Sequence, residues 1–261
     1  MARENDKVLE LRDIIGKIQP NFDEHGLVVH IENGKQNGGD SCQRSMSYYV
    51  FMQLLEGIRA PFSEFHNLFN KLRVGKHFIR HPEKGYHCGG HGFTNYDCWS
   101  DPKNFSCDQS RALLVGLQRY GYTKLARQFG LATLKNFSRF QNNDLCGPAE
   151  WGQIIRASGL WYLWPLLFFT DFVFLLSNIW TVARYFISTL TANEQKNRFI
   201  YTDGHVTGLV MAISTLDYPT PLGWLARKVI KVRCVESWAY YFRHEGAPPL
   251  YLFIPLIKGK L

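Results

Sequence analysis

A mainly α-helical fold, one domain of about ten helices running through residues 1–261, is what the sequence predicts. Three observations predict it. Apolar residues recur at three- and four-residue spacing in segment after segment, as amphipathic helices require. Helix-start signals stand ahead of several segments, among them Pro61, Ser106 with Gln109, Pro148 and Thr220-Pro221. The composition, 46% hydrophobic with 7 Trp, 13 Tyr and 19 Phe, supplies enough apolar surface to fill a large interior.

The elements follow in order. Val8, Leu11, Ile15 and Ile18 form one apolar stripe between charged residues, a surface helix with one buried face. A Gly- and Asn-rich loop at 33–40 precedes a helix at Ser41–Leu55 that is apolar on most sides after its first turn. Phe62, Phe65, Phe69 and Leu72 are the stripe of the next helix. Residues 73–105 then break the rhythm with Pro82, Gly85, Gly89, Gly90, Gly92 and Pro102. A stretch that long is either a functional loop or hides a small hairpin. Helices return with Leu113, Leu114 and Leu117, then Leu125, Phe129 and Ala132, then Trp151, Ile154 and Ile155. The last three are centred on Val206–Leu216, Leu222–Val229 and Val235–Phe242. No stretch has linker composition, so a single domain is expected, with loop 73–105 inserted at the pocket.

Leu160–Trp180 is long enough in principle to span a bilayer, and Trp161, Trp164 and Trp180 suit interfacial belts. Pro165 and Asp171 interrupt it, and an Asp near the centre costs roughly 2.5–3.5 kcal/mol on insertion scales. That cost favours a long inner helix enclosed by others over a membrane span. The first residues, Met1 to Lys7, are charged and lack the apolar core of a signal peptide, so a cytoplasmic, non-secreted protein is expected. The six cysteines are spread through a chain too large to need stapling, and reduced thiols are expected.

Candidate chemistry gathers at two helix starts. In the first, Gly38-Gly39 let the backbone approach a ligand, and Asp40 and Arg44 lie four apart over the first turn. A plain N-cap with an intrahelical ion pair is the structural alternative. In the second, Asp101, Asp108, Gln109 and Arg111 cluster beside Trp99 and Phe105, aromatic faces suited to stacking on a sugar. Carboxylate pairs of this kind serve as acid and base at glycosidic bonds, although acidic residues are also ordinary in a first turn. His81 and His91 stand ready to assist proton transfer. His87, Cys88, His91 and Cys98 are zinc-ligand types, yet they match no compact zinc spacing, so no cofactor is expected.

The net charge of +8 suits an acidic partner such as an anionic polysaccharide. No nucleic-acid motif is present, and the basic runs at 71–84 and 227–233 read equally as solvated helix faces.

With polar clusters at helix starts, Gly39-Asp40 and Trp99-x-Asp101-Pro102 leading to Asp108-Gln109, the chain resembles the (α/α)-toroid enzymes. The style is that of toroid glycoside hydrolases and polysaccharide lyases. The resemblance implies a compact or incomplete (α/α) barrel with carboxylates at one end, acting on a polar, polyhydroxylated ligand by hydrolysis or elimination. Asp108 and Asp101 would then be acid and base, Asp40 a third carboxylate, and Arg44, Gln109 and Arg111 substrate contacts. Terpenoid lyase-isomerases share such barrels. A non-catalytic component of a larger assembly is the alternative from another class.

Overall fold

The computed structural model describes residues 21–32, 35–37, 39–56, 62–83, 99–141 and 144–190. The expected helices near residues 8–18, 206–216, 222–229 and 235–242 lie outside the described residues, as does most of the His- and Cys-rich loop.

Six α-helices form among the described residues: α1 (Ser41–Glu56), α2 (Phe62–Lys71), α3 (Cys107–Arg119), α4 (Thr123–Lys135), α5 (Pro148–Ala157) and α6 (Trp164–Leu190). Each overlays a segment whose apolar spacing predicts it. The N-terminal strands were not predicted, whereas a hairpin within 73–105 was one of two alternatives. Strands β1 (Asn21–Phe22), β2 (Val28–Glu32) and β3 (Lys35–Asn37) form an antiparallel meander. Strands β4 (Arg73–Val74) and β5 (His77–Phe78) make a hairpin whose turn holds Gly75 at φ +61°. Pieces of two to five residues are too short to register an alternating pattern. The hairpin therefore accounts for the broken rhythm after residue 72, and a 3-10 turn at Pro102–Asn104 ends the irregular stretch.

Helix α1 packs on α3, and α3 packs on α5; α4 lies against both α3 and α5, and α6 covers α5. The shared core holds Met46 and Val50 of α1, Phe65 and Phe69 of α2, and Leu113, Leu114 and Leu117 of α3. Gly116 lets these three helices meet. A Cβ there would stand 3.0 Å from both Met46 Sδ and Phe65 Cζ, tighter than ordinary contact. Phe65 also stacks face to face on Tyr120, with ring centroids 3.8 Å apart. Strand β2 lies on α1, and Val28 N–H donates to Ser45 Oγ at 2.9 Å.

Helix α6 differs from the enclosed inner helix that its composition suggests. Among its described side chains, those buried are on the face carrying Leu167, Thr170, Phe174 and Leu175. Leu166, Phe168, Phe169, Phe172, Leu176, Ile179 and Trp180 are exposed. Among the described residues no helix is long and apolar enough to cross a membrane. Asp171 is held toward α5, where both its carboxylate oxygens accept from Arg156 Nη2 at 2.5 Å.

Burial pushes the Asp171 carboxyl above the ordinary carboxylate range, and this outweighs the opposing pull of Arg156. The folded chain then binds that proton more readily than the unfolded chain. Its charge is a cost at neutral pH, relieved as pH falls through the raised value. Replacing Arg156 by Met should remove about 3–5 kcal/mol of stability at pH 7, because it leaves a buried charge uncompensated. Urea titrations at stepped pH should show part of that loss recovered on acidification. Adding Asp171→Asn to R156M should restore stability at neutral pH.

Candidate functional site

The starts of α1 and α3 lie side by side and are tied together by side chains. An α-helix leaves its first amides without intrahelical partners, so a start placed in the interior must find acceptors elsewhere. Asp40 C=O accepts the first helical bond, from Arg44 N at 2.9 Å, which places Asp40 at the cap position of α1. Its carboxylate nevertheless turns to side chains. Gln109 of α3 is fully buried, and its Oε1 accepts from Gln43 N at 2.8 Å, the amide a capping side chain would ordinarily serve. Gln109 Nε2 donates to Asp40 Oδ1 at 3.4 Å, and Arg44 Nη2 lies 3.7 Å from Asp40 Oδ2. The Asp40 side chain remains 42% exposed, so it faces outward from this buried junction.

Arg80 clamps the same junction from the loop side. Its Nη1 donates to Gly39 O at 3.0 Å, Nη2 to Ser106 Oγ at 2.7 Å, and Nε to Asn104 O at 2.6 Å. The guanidinium stands 5.0 Å over the Trp99 ring, and Trp99 O accepts the backbone amides of Arg80 and His81. Ser106 sits at the cap position of α3 but makes no side-chain cap bond. The spacing of Ser106 and Gln109 marks the helix start, while both side chains bond to other elements.

Across the first turn of α3 lies a second polar group. Cys107 N donates to Asp144 Oδ2 at 3.0 Å, which gives this start an acceptor from the segment just before α5. Arg111 Nε donates to Glu150 Oε1 at 2.6 Å, and its Nη2 pairs with the same oxygen. Cys107 Sγ donates to Glu150 Oε1 at 3.6 Å. Gly147 leaves room for that carboxylate, since a Cβ there would stand 2.9 Å from Glu150 Oε2. Burial, then Glu150 and Cys107, push the Cys146 thiol far up despite Arg111, so Cys146 is held as a neutral thiol.

The residues singled out by sequence fall into distinct places. Asp40, Arg44 and Gln109 meet at the α1–α3 junction. Arg111 is in the first turns of α3 with its guanidinium turned to Glu150, and Asp108 is in the first turn beside Gln109. Asp101 caps the 3-10 turn, its Oδ1 accepting from Lys103 N at 2.9 Å. Trp99 and Phe105 are buried, so neither offers an open face to a sugar; Trp99 serves Arg80, and Phe105 joins the core. His81 is fully buried. Its Nδ1 accepts from Glu83 N at 3.1 Å, so its proton is on Nε2, which donates to Asp23 Oδ2 at 2.5 Å. Burial lowers its pKa in spite of Asp23, and the ring is a neutral internal tie rather than a group open to substrate. His87, Cys88, His91 and Cys98 lie outside the described residues.

Sequence reasoning missed Arg80, Glu150 and Asp23. Arg80 reads as one charge in a basic run, and Glu150 as an ordinary first-turn acid. Only their partners, 24 to 58 positions away in sequence, give them meaning. Glu24, His25 and Glu83 form a further group of metal-ligand types.

No protein-family model, curated protein or solved structure matches this chain.

Replacing Gln109 by Leu should leave the buried Gln43 amide without its acceptor, at a cost of about 1–3 kcal/mol in stability. Hydrogen exchange at Gln43 should accelerate more than exchange at the core of α3. Uniform acceleration of both would mean that Gln109 merely fills space.

Proposed function

We propose that the protein is a carbohydrate-active enzyme that cleaves a glycosidic bond, by hydrolysis or elimination, at the junction of α1 and α3. The observation that carries this reading is the Asp40–Gln109 arrangement. A buried amide takes over the capping of α1 and leaves a half-exposed carboxylate to side-chain partners at the meeting of two helix starts. The order of packing adds support. Alternate helices α1, α3 and α5 neighbour one another in turn, as inner helices of an (α/α) barrel do.

In this reading Asp108 and Asp101 do the acid and base work, and Asp40 is the third carboxylate at the mouth. Arg44 and Gln109 orient the sugar hydroxyls, and Arg111 acts at one remove by fixing Glu150. The net charge of +8 favours an anionic polysaccharide as substrate.

The test is a panel of neutral and uronate-containing polysaccharides, read for new reducing ends (hydrolysis) and for ultraviolet-absorbing unsaturated uronides (elimination). On the substrate so found, Asp108→Asn and Asp101→Asn should each lower kcat roughly 10²–10⁴-fold, with circular dichroism unchanged. Full turnover in both folded variants would end the assignment.

A second reading, a component of a larger assembly, is favoured by the apolar outer face of α6, where Phe168, Phe169 and Phe172 are exposed. Under it, Phe168→Asp with Phe172→Asp should abolish association in sedimentation velocity. Under the enzyme reading the same pair should leave turnover unchanged.

A further inference from the structure

We infer that Glu24, His25 and Glu83 form a divalent-cation site, with zinc as the fitting ion. The ligand atoms of the three side chains lie within 4.8 Å of one another. His25 Nε2 stands 3.8 Å from Glu24 Oε1 and 3.8 Å from Glu83 Oε2. Those separations are too long for hydrogen bonds. They are close to the spacing of atoms that share an ion, since ligands about 2.1 Å from zinc sit roughly 3.4 Å apart along a tetrahedral edge.

The second observation is the state of His25 itself. Its Nε2 is shielded from solvent and hydrogen-bonds to nothing among the described residues. A buried ring nitrogen in that state is costly, and an ion between it and the two carboxylates would satisfy all three.

The surroundings are built to hold the three groups in place. Asp23 Oδ1 accepts from His25 N at 3.0 Å and from Leu27 N at 2.7 Å, closing a tight turn with Gly26 at φ +69°. Glu24 and His25 therefore stand at the tip of a rigid loop. Glu83 lies on a different segment, and His81 joins the two. Its Nε2 donates to Asp23 Oδ2, and its Nδ1 accepts from Glu83 N. The His25 ring meets the His81 ring edge-on at 5.5 Å. One buried imidazole thus fixes the backbone of both ligand-bearing loops, the role that outer groups play around metal ligands. Lys71 Nζ donates to His25 O at 2.5 Å and adds a further tie on the loop backbone.

One imidazole and two carboxylates suit zinc, and three protein ligands leave a fourth position for water or another donor. This site shares no residue with the α1–α3 junction and does not rest on the glycosidic reading. None of the zinc-type residues His87, Cys88, His91 and Cys98 is among its three groups.

The experiment uses the full chain, stripped with chelator and titrated with zinc by calorimetry. One equivalent should bind, and His25→Gln and Glu83→Gln should each raise Kd at least about 100-fold. Glu24, 78% exposed, gives a variant that leaves the fold intact, and Glu24→Gln should weaken binding in the same direction. Cys88→Ser and Cys98→Ser should leave Kd unchanged. Cobalt in place of zinc should show visible d–d bands without the intense near-ultraviolet absorption of a thiolate ligand. Absence of binding, unchanged Kd in both H25Q and E83Q, or a thiolate band would each overturn the inference.

Discussion

Two helix starts buried against each other create a demand for hydrogen-bond acceptors, and most of the polar interior answers it. The starts of α1 and α3 bring amides and carbonyls into a region with little water. Neither start is served by its own cap side chain. Gln109 supplies the acceptor for Gln43, Asp144 supplies one for Cys107, and Arg80 ties Gly39, Asn104 and Ser106 together from outside. Trp99 is buried because Arg80 lies on it, and the segment around residue 100 is ordered because its carbonyl receives two amides. Polar residues 66 and 37 positions apart act here as mutual caps. The arrangement links helix packing to chemistry. A carboxylate released from capping is available for something else.

The helices were legible in the sequence because their signal is local. Phe65 and Phe69 announce one face of α2, and Pro148 opens α5 as its fixed φ favours. The strands were not legible, since β4 and β5 hold two residues each and carry no period. The character of α6 was half legible. Its apolar composition fits a helix enclosed on all sides, yet only one face is packed among the described residues. The pattern could not separate these cases, because exposed and buried apolar residues look alike in sequence.

The candidate site divides in the same way. Asp40, Arg44 and Gln109 were found because helix starts are marked by sequence, and three-dimensional packing brought them together. Trp99 and Phe105 looked like ligand platforms, and they are interior supports. His81 looked like a proton carrier; its two nitrogens are engaged by Glu83 and Asp23. Arg80 and Glu150 escaped notice because a charge's role depends on a distant partner. Spacing rules read neighbours along the chain, and ion pairs between elements have no spacing.

Among the described side chains of α6, Leu167, Thr170, Phe174 and Leu175 are buried, and the helix covers α5, which has 10 residues. At 1.5 Å per residue, α5 measures about 15 Å and α6 about 40 Å. Helix α6 therefore outruns the helix it covers, and Asp171 with Arg156 joins the two. A single buried ion pair thereby helps to set how a long helix sits on a short one.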